Sequence, residues 1–361
     1  MTSRQTICVN AYVAIASIAI MLAPGCSEHN AASGPSLPPQ ILSGDNSQSM
    51  PPPAFYVPII DQAEMAVIDP ATDEVEGIDN LFRGRAPQVR GPHLIVADPT
   101  HPRIFLVASV GNAPQLLVYS TIAHRVNSAV DLPSGTPTTI GDLAIGPNGS
   151  RLFIPGSDSV IVMSTLTKTV IKILSFDSQP EGLTVAADGH KLFVALPDKN
   201  EIAIADTESL AVHVIRAGGC HLSKQCRPHE ARAFPDQSMV LFSGGREGSG
   251  FVMDAVSEQV VAQVPAEMNH IIALDPSTGT GWVGFSACCN LFVSQISLTP
   301  PFSLLQNFQF HTRASIAGGA FSPSGQGLAV FITSLIPSPF SNDQRRFIHL
   351  GLPMDNIVYA P

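Results

Sequence analysis

An all-β fold, a seven-bladed β-propeller of four-stranded antiparallel blades, is what this sequence predicts, and three observations predict it. The first is the stretch 179–218, QPEGLTVAADGHKLFVALPDKNEIAIADTESLAVHVIRAG, where four apolar runs (GLTVA, KLFVAL, EIAIAD and AVHVI) are separated by Asp188-Gly189, Asp198-Lys199-Asn200 and Thr207-Glu208-Ser209. Runs this short, rich in Val, Ile and Leu and bounded by turn residues, form strands rather than helices. The second is a turn in which Pro or Asp precedes Gly, as in Gly146-Pro147-Asn148-Gly149, Ala187-Asp188-Gly189, Asp275-Pro276-Ser277-Thr278-Gly279 and Ser322-Pro323-Ser324-Gly325, with shorter relatives at Asp98-Pro99 and Pro235-Asp236. Pro or Asp opens such turns, and Gly supplies the positive φ that closes them. The third is a turn after the third run of each unit: VIDPATDEV (67–75), VYSTIAHRV (118–126), VMSTLTKTV (162–170), IADTESLAV (204–212), VMDAVSEQV (252–260), VSQISLTPPF (293–302) and IHLGLPMDNIV (348–358). The spacing of about 40–50 residues is the period of four-stranded propeller blades.

Ahead of the repeats the chain has another character. Residues 7–22, ICVNAYVAIASIAIML, follow a single early charge at Arg4. A membrane-spanning helix wants about 20 apolar residues, so this run suits the apolar core of a signal peptide. Ala23-Pro24-Gly25-Cys26 follows and resembles the lipobox of bacterial lipoproteins, in which the cysteine, here Cys26, becomes the lipidated first residue. Leu22 stands four residues before Cys26, one more than the usual lipobox leucine, and Pro24 is unusual there. Residues 1–25 are thus expected to be a lipoprotein-type signal peptide. Residues 26–53, rich in Ser, Asn, Gly and Pro, are expected to be a flexible tether, and residues 54–361 the propeller.

Composition limits the function classes. Of 361 residues, 45% are hydrophobic and 13% charged, enough for a substantial core and incompatible with global disorder. The net charge of -10 argues against a nucleic-acid partner, which needs a basic face. There is no GxSxG, HExxH, P-loop or CxxCH motif to support a serine hydrolase, zincin, P-loop nucleotide-binding or heme-attachment reading.

Six units carry all four runs, and the first, beginning at Phe55, lacks a visible innermost strand. Its closure is left open between a strand from the tether around Ile41 and a three-stranded blade. Units such as 187–212, ADGHKLFVALPDKNEIAIADTESLAV, resemble the YVTN-type β-propeller repeat, with its PDG turn, LYV-like strand and VIDT-like strand. The resemblance covers roughly residues 54–361, is clearest in the third and fourth units, and implies the propeller of the YncE-like and lactonase-like groups and of amine dehydrogenase heavy chains. It implies no single activity, because the repeat residues are structural.

The innermost strands begin at the central channel, and the residues six before the first-turn Pro position compare as His93, Gly141, Glu181, His229, His270 and Ala317. His93, Glu181, His229 and His270 are therefore the candidate ligands for a divalent metal at one channel mouth. The competing reading is that a Pro-His pair at a strand start bonds a neighbouring carbonyl and does nothing further. Cys220 and Cys226 fall in the loop entering the fifth unit and Cys288-Cys289 in a loop of the sixth, so two disulfides are expected, with three pairings open. Arg246-Glu247 sits in a same-face loop, and Trp282 aligns with the core positions Phe153 and Phe193. The expectation is an extracytoplasmic, lipid-anchored module of the bacterial cell envelope that binds an envelope protein or small molecule and touches the membrane through its anchor alone. The alternative is a metal-dependent, lactonase-like hydrolase or lyase with its site at the channel mouth.

Overall fold

The computed structural model describes residues 53–337 and 358–360, apart from 60–62, 73, 83–88, 139–140, 218–226, 236–237, 245–248, 276, 288–289, 311–315, 322–326 and 332–333. The signal segment with Cys26, the loop with Arg246-Glu247, and Cys220, Cys226, Cys288 and Cys289 lie outside the described residues.

The runs of the 179–218 stretch become Leu183–Val185, Lys191–Leu196, Glu201–Asp206 and Val212–Arg216. They pair antiparallel in sequence order, Phe193 lying opposite both Thr184 and Ile204. The two inner runs of this sheet are buried almost throughout, whereas the outer Val212–Arg216 is exposed. A sheet with two apolar faces must be covered on both, and neighbouring sheets supply the cover. One core cluster joins Leu152, Ile154 and Ile161 to Leu94, Phe105 and Leu116 of the sheet before it. Another joins Phe193 and Ile204 to Phe242 and Phe251 of the sheet after it, with Phe193 and Phe242 edge-to-face at 6.4 Å. Trp282 is buried, as its alignment predicts.

Six four-stranded antiparallel blades stand among the described residues, not the seven expected. The last unit contributes a three-stranded sheet, Ile316–Phe321, Gly327–Phe331 and Ser334–Pro337. Neither expected closure occurs. Val358–Ala360, which follows the seventh unit's turn after its third run, pairs instead with Ala54–Ile59 as the innermost strand of the first blade, with Ala54 opposite Ala360 and Tyr56 opposite Val358. The physical reason is that an open ring would leave the edge of Ala54–Ile59 unpaired, and an apolar strand from the far end of the repeats covers it.

The repeated turn residues have structural jobs. After the third strand Asp69, Asp206 and Asp254 each turn a carboxylate back onto amides two or three residues on, as in Ser209 N to Asp206 Oδ1 at 2.7 Å and Ser257 N to Asp254 Oδ1 at 2.7 Å. This accounts for the acidic residue of the VIDT-like run. Gly149 and Gly189 take the expected positive φ, 66° and 78°. A basic residue opening the second strand reaches carbonyls of the next blade's turn: Arg103 Nη1 donates to Thr165 O (3.3 Å), Arg151 Nη1 to Glu208 O (3.1 Å) and Lys191 Nζ to Ala255 O (2.8 Å). Met239 and Thr280 hold this position in the next two blades, so the latch is confined to one arc of the ring.

Between the first and second blades, Asp79 accepts hydrogen bonds from the Tyr119 hydroxyl and from His124 Nδ1, the latter at 2.9 Å. The Asp79 contact raises the His124 imidazole above its ordinary value, against the opposing effect of burial. A raised histidine stabilises the fold fully below its unfolded pKa of about 6.5, and that contribution fades as pH rises through the folded value. Stability measured by urea denaturation should therefore decline as pH rises through His124's folded value, and an Asp79→Asn variant should lack that component of the decline.

Asp98 is fully buried and accepts from Thr100 N and Oγ1 (2.8 Å each), His101 N (3.2 Å) and Arg103 Nε (2.7 Å). Burial alone would raise its carboxyl, but the donors from Thr100 and Arg103 outweigh it and hold the pKa below the ordinary value. Asp98→Ala strands those donors and should cost about 3 kcal/mol in denaturant unfolding at pH 7. The wild-type advantage should be complete above about pH 4 and shrink as pH falls through the lowered folded pKa.

Candidate functional site

Three consecutive inner strands approach each other closely at one end of the channel. The Asp142 amide of the third blade donates to Glu181 O of the fourth at 2.9 Å. A Cβ built on Gly182 would stand 2.6 Å from His229 O and from Glu230 Cα, so only glycine lets the fourth blade's strand lie this close to the fifth. Gly141 is similarly constrained: its φ is 100°, and a Cβ would meet Glu181 O at 2.9 Å. His229 and Glu230 are held from behind by Ser243, a fully buried residue. His229 N donates to Ser243 O (3.0 Å), Ser243 N to Glu230 O (3.0 Å) and Glu230 N to Ser243 Oγ (2.9 Å).

This backbone gathers six ionisable side chains from four blades: Asp142, Glu181, His229, Glu230, Arg232 and His270. The Arg232 guanidinium grips Asp142 with both ends, Nη1 to Oδ2 at 2.7 Å and Nη2 to Oδ1 at 3.2 Å. Burial opposes the charge on Arg232, but Asp142 and then Glu230 hold its pKa above the ordinary value. Glu230 receives His270 Nδ1 on one oxygen (2.7 Å) and the Ile271 amide on the other (2.6 Å). Burial would raise the Glu230 carboxyl, but the His270 contact outweighs it and the pKa falls below the usual glutamate range.

Glu181 and His229 form the remaining pair. His229 Nε2 lies 2.9 Å from Glu181 Oε2, within ion-pair distance but off the line of a hydrogen bond, so that Glu181 Oε2 has no hydrogen-bond partner. His229 Nδ1 is also buried without one. The Glu181 contact, supported by the charges of Glu230 and Asp142, raises the His229 imidazole against the effect of burial. The His229 and His270 rings meet edge to face, their centroids 6.2 Å apart.

The four candidate metal ligands are thus brought together in part. Glu181 meets His229, and His229 meets His270, but His270 directs Nδ1 at Glu230. His93 lies in the second blade's inner strand, Val89–Ala97, and its side chain falls outside the described residues. Among the described residues no three His, Cys, Asp or Glu side chains gather as a metal site. Comparing only one register position missed Asp142, Glu230 and Arg232. The available signal was PHEARAF itself, where Glu230 and Arg232 alternate with Ala231 and Ala233 in a strand whose siblings are apolar.

Solved structures of similar shape include β-propellers. A Kuenenia stuttgartiensis hydrazine synthase chain is 18% identical with a TM-score of 0.58, over 71% of this chain and 79% of that one. The RRP9 WD40 repeats are 12% identical with a TM-score of 0.57, over 84% and 86%. The Myceliophteria thermophila Cps50 (Swd1) β-propeller domain is 12% identical with a TM-score of 0.58, over 76% and 90%. At these identities the likeness is one of fold, and it does not single out the YVTN-type repeat. No protein-family model matches the chain, and no curated protein sequence does.

Two substitutions test the site's construction. Gly182→Ala forces the fourth and fifth inner strands apart and should cost about 2–3 kcal/mol. The His229 titration, followed by NMR, should then move down toward the ordinary value as Glu181 is displaced. Arg232→Met leaves Asp142 without its partner. With Arg232 30% exposed, water softens that loss to about 2 kcal/mol in denaturant unfolding.

Proposed function

We propose that this protein is a binding module of the bacterial cell envelope, anchored through lipidated Cys26 and presenting the channel mouth around Glu181, His229 and Glu230 to its ligand. The observation that carries the reading is the mouth itself. Six ionisable side chains converge there from four blades, and two of their buried polar atoms, Glu181 Oε2 and His229 Nδ1, are left without a hydrogen-bond partner. Buried polar atoms are satisfied in folded proteins, so an unmatched pair beside a channel favours a missing occupant. The signal-like segment, the Cys26 context and the Pro-rich stretch after it favour an anchored domain standing clear of a membrane. A propeller's faces suit this role, because loops from several blades converge on one surface.

The hydrolase or lyase reading needs a metal with open coordination positions. It is the weaker of the two, because His270 Nδ1 is engaged by Glu230 and a third ligand beside Glu181 and His229 is not among the described side chains. A purified chain that holds a stoichiometric divalent metal, and loses it in His229→Ala and His270→Ala, would reverse the order.

The binding reading predicts that a photoreactive residue at Arg227, just before His229, captures a ligand in cells, whereas one at Leu166, on a turn of the opposite face, does not. A small ligand should appear as a mass increment on the native full chain. Neither adduct nor increment at the mouth would remove the reading. Cys26→Ser should move the protein from the membrane fraction to the soluble one, and unchanged membrane recovery would contradict the lipid anchor.

A further inference from the structure

We propose that the face opposite the channel mouth docks on an anionic lipid surface through the turns of the second and third blades; this rests on reading Cys26 as a lipid anchor. Glu181 at the mouth and Asp188 in the first turn stand at opposite ends of the inner strand Leu183–Val185, so the repeated turns form the far face. Backbone hydrogen bonds join the two turns of a blade there, Thr121 N to Pro102 O and Thr165 N to Ser150 O, both at 3.1 Å. Two residues after the side chain that caps the later turn stand Ile122 in the second blade, Leu166 in the third and Val256 in the fifth, 51%, 84% and 70% exposed. Single exposed aliphatics are ordinary, but three at one repeated position of one face are not scattered.

Charge separates the three. Across both turns of the second and third blades, residues 98–103, 120–125, 146–151 and 164–169, stand Arg103, Arg125, Arg151 and Lys168, and the one acidic residue, Asp98, is buried against Arg103. In the later turns of the fourth and fifth blades, 206–211 and 254–259, the charged residues are Asp206, Glu208, Asp254 and Glu258. Ile122 and Leu166 thus stand among cations, in a chain whose net charge is -10, and Val256 among carboxylates. Val170 and Ile171, also exposed, extend the apolar tip of the third blade. Aliphatic tips flanked by Lys and Arg match an anionic bilayer, where the tips enter the headgroup region and the cations meet phosphates.

The chain enters the propeller on the same face. Ala54–Ile59 begins with Phe55 opposite Ile68, next to the turn capped by Asp69, and Pro53 ahead of it is exposed. Residues 26–53 therefore join the disc at its turn face. A lipid on Cys26 tethers the disc by the side that carries Ile122 and Leu166, and tethering raises the local concentration of those turns at the bilayer. A weak contact is then populated. The flexible tether lets the domain stand clear of a neutral membrane, and the turn face gives it a docked state on an anionic one. In that state the anchor is not the only membrane contact, and the mouth with Glu181 and His229 points away from the bilayer.

The test uses the full native chain in vesicles of phosphatidylcholine alone or of equal parts phosphatidylcholine and phosphatidylglycerol. An environment-sensitive fluorescent residue is placed at Thr167, beside Leu166, or at Arg227 on the mouth face. In the anionic vesicles the Thr167 emission should move to shorter wavelength and be quenched by a lipid with brominated chains, and the Arg227 emission should do neither. Arg125→Glu with Lys168→Glu should lower the docked-to-free ratio at least about tenfold, and so should Ile122→Asp with Leu166→Asp. The second pair serves should the first fold poorly. Mass spectrometry of the same chain reads the lipid on Cys26. A chain without it removes the anchor and the docked state together. A lipidated chain whose Thr167 residue stays in water, or responds equally in phosphatidylcholine alone, overturns the docked state and leaves the anchor standing. In cells a photoreactive residue at Leu166 should yield lipid adducts alone, and a protein adduct there would also overturn the proposal. Ligand capture at Arg227 is read on the other face, so the binding reading stands or falls separately.

Discussion

Ring closure is the constraint on which this structure depends. Each blade has two apolar faces, and no blade can bury both unless it stands between two others. A row of such sheets has two exposed ends, and only a ring removes them. Pairing Val358–Ala360 with Ala54–Ile59 does this by building one blade from strands about 300 residues apart in the chain. Residues of this blade, Tyr56, Met65 and Ala360, then share a core with Ile104, Leu106 and Tyr119 of the second. The pairing is short, with three residue pairs, but it lets every neighbouring interface exist at the same time.

Closure also explains the site. Strands arranged radially crowd most at the centre, so inner strands meet where outer strands are well separated. Gly182 against His229 and Glu230 is the tightest expression of this crowding, and the ionisable cluster sits beside it. Side chains that would be scattered along a flat sheet are there brought within a few ångströms. The partnerships are uneven, and this unevenness gives the mouth its character. Asp142 with Arg232 and Glu230 with His270 are self-contained, whereas Glu181 with His229 leaves Glu181 Oε2 and His229 Nδ1 without a hydrogen-bond partner. Glu230 with His270 braces the fifth blade against the sixth, and Asp142 with Arg232 ties the third blade to the fifth across the fourth.

Much of the fold was legible in the sequence because propeller repeats expose their grammar. The runs KLFVAL and EIAIAD are strands with the bounds their turn residues set. Asp206 and Asp254 cap turns that repeat because the carboxylate has a fixed local task. Closure was not legible, because the NIVYAP ending of the chain looks like any other short apolar run. Nothing local distinguishes a strand that pairs with its predecessor from one that pairs across the whole chain. The site was half legible. Aligning strand starts found Glu181, His229 and His270, since equivalent positions around a ring do converge. It missed that His270 would turn to Glu230, one register position on, because which neighbour a side chain chooses depends on the offset between strands of different blades. That offset is set by close approaches such as Gly182, which a pattern of apolar runs does not encode.

The most direct measurement is native-state hydrogen exchange on the full chain and on a chain shortened by residues 358–361. If closure holds the ring together, amides across the first and second blades in the full chain should exchange only through global opening. In the shortened chain they should lose protection together, with the loss reaching the buried strands 103–110 and 113–120 as well as residues 54–59. Protection lost only at residues 54–59, with the second blade unchanged, would contradict the account. The strand Val358–Ala360 would then be an accessory to a ring held closed by other means.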